Sequence, residues 1–156
     1  MIIAQCRITW SKESFLKILN ISKNRCKYFV FISRNAVDQE NELLKKLSQW
    51  YVDTYETYCW PGTIHFGKHP AKIYKYNLCA ETINILNLLG LDILLANNRE
   101  FEDLSLLLDD GTPWFISITH EKEAMFKITD KNELGVLNFN NDEIEIFEDI
   151  SPGEKY

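Results

Sequence analysis

Residues 104–128 constrain the fold more than any other stretch of the chain. Two apolar runs, Leu104–Leu108 and Trp114–Thr119, flank Asp109-Asp110-Gly111. An Asp-Gly step between strand-like runs favours a tight reversal, because glycine adopts the positive φ that such turns require. His120–Glu123 supplies a second turn, and Ala124–Ile128 returns as a third strand. Three strands joined by two short turns commit this part of the chain to an antiparallel sheet.

The remaining elements follow from periodicity and punctuation. Ile2–Trp10 has the β-branched character of a first strand, and Ser11 is placed to cap a short helix carrying Phe15, Leu16 and Leu19. Lys27–Ser33 holds five consecutive large apolar residues, more than one helical stripe supplies, and reads as a buried strand. Between Glu40 and Tyr58, apolar residues from Leu43 to Tyr58 recur at spacings of three and four, which predicts the main helix, ended by Trp60-Pro61-Gly62. Thr63–Pro70 reads as a loop and Lys72–Tyr76 as a short strand. Ala80–Leu89 reads as a second helix closed by Gly90. Leu134–Phe139 and Glu143–Phe147 read as a last hairpin about Asn140-Asn141-Asp142, with Glu143 and Glu145 on the face opposite Ile144 and Ile146. The resulting expectation is an α+β fold: a mainly antiparallel sheet of about five to seven strands, with two or three helices packed on one face. Residues 1–150 would form a single domain and 151–156 a loose tail.

A chain of 156 residues buries about 70% of its extended surface, enough for a core without metal or disulfide staples. Cys6, Cys26, Cys59 and Cys79 form no C-x-x-C pair, and with no export signal at the N-terminus they are expected to be reduced and mostly buried, in a cytoplasmic protein. The longest apolar runs fall far short of the ~20 residues of a membrane helix.

The net charge of −6 is unevenly placed. Residues 1–129 hold 15 basic and 15 acidic side chains, whereas 130–156 hold two lysines and eight acids. That asymmetry disfavours a phosphate backbone and favours a basic protein as partner; its simpler reading is a solvated edge strand and tail.

Candidate chemistry is sparse. Cys59, His65, His69 and Cys79 are proper zinc ligands at irregular spacing, and Gly67 and Pro70 keep the two histidines off a common helix face. His120 beside Glu121 suggests a general base, yet neighbours on an extended chain point to opposite faces. A turn in which His120 bonds to backbone is the plainer reading. Asp109 or Asp110 with Glu121-Lys122 lacks the spacing of a metal-dependent nuclease, and the six glycines form no phosphate loop. The expectation is therefore no catalytic residue, no metal and no cofactor. The aromatics between Trp50 and Phe66 belong mostly to the core, with Tyr58 and Trp60, at the helix exit, left partly exposed.

The run Glu102–Ala124 resembles the strand, Asp-Gly turn, strand, His-Glu turn pattern of small bacterial immunity proteins from polymorphic or contact-dependent toxin systems. The resemblance implies a protein that binds a toxin domain, such as a nuclease, and masks its active site. Its acids Asp142, Glu143, Glu145, Glu148 and Asp149 would face the basic toxin, with Tyr58 and Trp60 as apolar anchors. The alternatives are another acidic protein-binding module, a phage-borne inhibitor, or a small enzyme built on His120 and Glu121 or on the loop from Cys59 to Cys79.

Overall fold

A computed structural model of the chain describes residues 2–6, 11–97, 99–130, 132–137 and 144–148, with side-chain surroundings given for all of these except 2–6, 134, 136 and 144–148. In chain order the elements are β1 (Ile2–Cys6), α1 (Lys12–Ser22), β2 (Tyr28–Ser33), α2 (Glu42–Leu47), β3 (Tyr51–Thr57), β4 (Cys59–Trp60), β5 (Thr63–Ile64), β6 (Ala71–Asn77), α3 (Ala80–Leu94), β7 (Glu102–Leu107), β8 (Pro113–Ile118), β9 (Glu123–Ile128), α4 (Asn132–Leu137) and β10 (Ile144–Glu148). Eight strands form one sheet in the order β10-β1-β9-β8-β7-β2-β6-β3, every neighbouring pair antiparallel. The fold is α+β, as the strand and helix pattern implied.

The helices cover one face. Ser11 Oγ accepts the Ser14 amide at 3.1 Å and starts α1, whose Phe15, Ile18 and Leu19 are buried. Asn41 Oδ1 accepts the amides of Leu43 and Leu44 and starts α2. Leu43 and Leu47 of α2, with Ile83, Leu86, Ile93 and Leu94 of α3, join Phe29 and Phe31 of β2, Tyr74 and Tyr76 of β6, and Phe115 and Phe126 in one large core. Phe29 stacks on Tyr76 at 5.5 Å and Phe31 on Tyr74 at 5.7 Å, the cross-strand aromatic pairing that locks sheet register. A smaller cluster of Val30, Ile32, Trp60, Ala71, Ile73 and Leu107 lies on the opposite face, where the β4–β5 hairpin supplies Trp60.

Four local expectations are corrected. The helix expected over Glu40–Tyr58 ends at Leu47 and passes through a 3-10 turn, Ser48–Trp50, into β3. Tyr51, Tyr55 and Tyr58 satisfy helical spacing, but Val52, Thr54 and Thr57 are β-branched, and pairing of Tyr55 with Ile73 of β6 decides for the strand. Gly90 does not end α3; it lies inside the helix, where a Cβ would meet Phe15 Cζ at 3.1 Å, so glycine serves the close approach of α1 to α3. Residues 132–137 are helical, and β10 pairs with β1 instead of forming a hairpin with them. Leu16 of α1 is exposed, and Ile18 takes its place in the core.

Candidate functional site: a cavity beneath the β4–β5 hairpin

Pro61-Gly62 makes the tight turn of this hairpin, with Gly62 at φ +79°. The turn lies flat on the sheet because Gly62 has no side chain: a Cβ there would be 2.8 Å from Ile116 Cγ2 and 3.3 Å from Ile118. Thr57 Oγ1 donates to the Cys59 carbonyl and accepts the Cys59 amide, which turns the chain out of β3 and over the sheet.

Trp60 is 4% exposed, and its indole Nε1 donates to Asp103 Oδ2 at 2.8 Å. Asp103, only 1% exposed, is the hub beneath the hairpin. Its Oδ1 accepts the Thr119 amide at 2.8 Å, and its own amide donates to Thr119 Oγ1 at 2.8 Å. Thr119 Oγ1 in turn donates to the Ile93 carbonyl at 3.2 Å. These bonds tie hairpin, β7, β8 and α3 together, and they explain how a carboxylate is held away from water. A bulge makes the hub possible: β7 shifts register against β2 between Val30 and Ile32, and Asp103 has φ +56°. Strict alternation would send Glu102 and Asp103 to opposite faces. The bulge instead leaves both carboxylates on the hairpin side, where Glu102 pairs with Arg34 Nε and the Arg34 guanidinium sits 5.3 Å from the Trp60 ring.

Beside this network is a cavity of about 690 Å³. Ile116, Ile118 and Met125 form its apolar floor, the hairpin from Cys59 to Phe66 its wall, and Arg34, His120, Glu121 and Lys127 its polar rim. Its volume and mixed lining are those of ligand and side-chain pockets. The Thr63 hydroxyl in its wall is buried with no hydrogen-bond partner among the described residues. His65 stands between Tyr58 and Trp60, at 6.2 and 5.6 Å, and Nε2 lies 3.0 Å from the His69 carbonyl; because a carbonyl only accepts, Nε2 carries the proton.

Apolar side chains on and beside the hairpin are exposed above that polar rim: Phe66 is 92% exposed and Ile64 56%, both in the cavity wall, and Tyr58, stacked on His65, 46%. Tyr58 is partly exposed, as expected, but between β3 and β4 and not at a helix exit. Trp60 is not: it is a buried core residue held by Asp103, because the hairpin folds back over the sheet instead of leaving a helix exit in solvent. Glu145 and Glu148 belong to β10, the strand at one edge of the sheet, and their positions pair with Gln5 and Ile2 of β1. Asp142, Glu143, Asp149 and the tail 151–156 lie outside the described residues.

His120 and Glu121 do meet, contrary to the extended-chain argument. They occupy a 3-10 turn, Thr119–Glu121, and His120 Nε2 comes within 3.6 Å of Glu121 Oε1. Among the described residues, Glu102, Asp103 and His120 have potential ligand atoms that all lie within 4.8 Å of one another, whereas Cys59, His65, His69 and Cys79 form no such group. Asp109 and Asp110 are at the far end of β8 from Glu121, roughly 20 Å away at strand rise, so the nuclease-like combination is not assembled. Both have local partners, Lys27 and Thr112. Of the cysteines, Cys26 is buried, Cys79 partly buried and Cys59 exposed, all three free thiols, so burial is less general than expected. Burial pushes the Cys26 thiol up to about 12, which leaves it inert as a nucleophile at neutral pH.

The aromatics between Trp50 and Phe66, expected mostly in the core, lie mostly outside it: Trp60 is buried, whereas Tyr51, Tyr55, Tyr58 and Phe66 are exposed, because residues 51–57 form an edge strand and not a helix packed on the sheet. Arg34, Glu102 and Asp103 carry the site's polar character, and sequence reasoning gave none of them a role; two successive acids at the start of an apolar strand are the one local sign of the last two. Their meeting with Trp60 depends on contacts 43 residues apart. No protein-family model matches the chain, and no curated protein or solved structure does.

Proposed function

We propose that this chain is an immunity-type protein, a stoichiometric inhibitor that binds a basic toxin domain in the bacterial cytoplasm and masks its active site. The observation that carries the reading is the exposed apolar group on and beside the hairpin, Phe66, Ile64 and Tyr58, next to a cavity large enough for a partner's side chain. Exposed aromatics next to a pocket are the usual anchors of protein interfaces, since they bury large area at little cost in side-chain entropy. The acid excess in residues 130–156 supports a basic partner, because complementary charge speeds encounter and rejects wrong partners. The Glu102–Ala124 pattern that resembles immunity proteins forms β7, β8 and the turn into β9, which is the floor beneath the hairpin. No helix among the described residues is long and apolar enough to cross a membrane.

The test is co-expression with the protein encoded beside it. A one-to-one complex on gel filtration, together with protection of cells from that protein's toxicity, is the expected result. Absence of both would refute the reading.

A further inference from the structure

We propose that Glu102, Asp103 and His120 form a binding site for a first-row divalent transition metal ion of the zinc class, at the polar edge of the cavity beneath the hairpin. This goes beyond inhibition of a partner and does not depend on it. The three potential ligand atoms, two carboxylate oxygens and one imidazole nitrogen, already lie within 4.8 Å of one another. Ligands at about 2.1 Å from a tetrahedral zinc ion are about 3.4 Å apart, so closure calls for movements of an ångström or so.

The pieces divide the work suitably. Asp103 is fixed: it is 1% exposed, bonded by Trp60 Nε1 and the Thr119 amide, and set by the bulge that brings Glu102 to the same side. His120 is adjustable, half exposed on a short 3-10 turn, and a rotation of its ring closes the triangle. The surroundings match those of metal ligands, whose carboxylates are hydrogen-bonded and whose histidines face a second carboxylate. Glu102 has Arg34, Asp103 has the indole and the amide, and His120 has Glu121 at 3.6 Å. These bonds do not exhaust the carboxylates, each of which has about four acceptor sites. Two carboxylates against the single guanidinium of Arg34 leave one net negative charge, which favours a cation over an anion there. Because His120 lines the cavity, the fourth position would open into it.

The experiment is titration of chelator-dialysed full-length protein with Co²⁺, read by its visible absorption, and with Zn²⁺ by calorimetry. One equivalent is expected to bind. His120→Ala, at an exposed position that leaves the fold intact by circular dichroism, and Glu102→Gln should each weaken binding at least 10-fold, while Cys59→Ser leaves it unchanged. No binding at 1 mM Co²⁺ or Zn²⁺ overturns the proposal. So does a His120→Ala variant that binds like the parent, or a Cys59→Ser variant that loses the ion.

Discussion

Asp103 shows how one residue's cost is met by several small bonds. An unpaired carboxylate withdrawn from water would prefer to be protonated or to expose itself, yet here the Trp60 indole and the Thr119 amide each donate at 2.8 Å. Trp60→Phe keeps most of the apolar contact and removes one donor from a fully buried acceptor. It should lower stability by about 1–3 kcal/mol, read as a shift of the urea midpoint by circular dichroism. Asp110 shows the opposite, exposed case. Thr112 donates to its Oδ1 from Oγ1 at 2.6 Å and from the amide at 2.9 Å, which holds the carboxyl below its ordinary range. A depressed pKa stabilises the fold above the unfolded value, near 3.9, and that stability is lost as pH falls through the folded value. Asp110→Ala should therefore lower the thermal midpoint at pH 7, and its difference from the parent should narrow below about pH 4.

At the scale of elements, the β4–β5 hairpin is the piece on which the site depends. It has two residues in each strand and pairs only Cys59 with Ile64 and Trp60 with Thr63, too little to persist by itself. It is held by Trp60 in the smaller core and by Gly62 lying against Ile116 and Ile118. Gly62→Ala meets two obstacles, a left-handed backbone at φ +79° and a Cβ 2.8 Å from Ile116 Cγ2. The expected loss is about 1–3 kcal/mol, with faster hydrogen exchange at the hairpin amides than in β7 and β8. Protection equal to the parent's would show that the turn is held by other contacts.

For the molecule as a whole, the decisive asymmetry is between the two faces of the sheet. Helices α1, α2 and α3 close one face, and among the described residues a short hairpin covers part of the other. Phe66 projects from this second face, 92% exposed, so its removal takes almost nothing from the folded core. Phe66→Ala should leave stability within about 0.5 kcal/mol of the parent. Against a partner of the kind proposed above it should weaken affinity by about 2 kcal/mol, roughly 30-fold, as measured by calorimetry. Unchanged affinity would place the interface on another surface.

Local chemistry alone determined the β7–β8–β9 meander, the Ser11 cap, the buried strand β2 and the antiparallel character of the sheet, because each rests on a turn residue, a cap or a continuous apolar run that neighbours in sequence supply. Tertiary structure decided the rest. Residues 51–57 satisfy both helical and extended spacing, and only β6, some 20 residues further on, supplies the hydrogen bonds that make them a strand. Trp60 carries an apolar ring and a donor, and whether it faces solvent or core turns on an acid 43 residues away. The same holds for the cavity and for the group of Glu102, Asp103 and His120. Their chemistry arises from side chains brought together by strand order and one bulge, and neither is a property of any short stretch of chain.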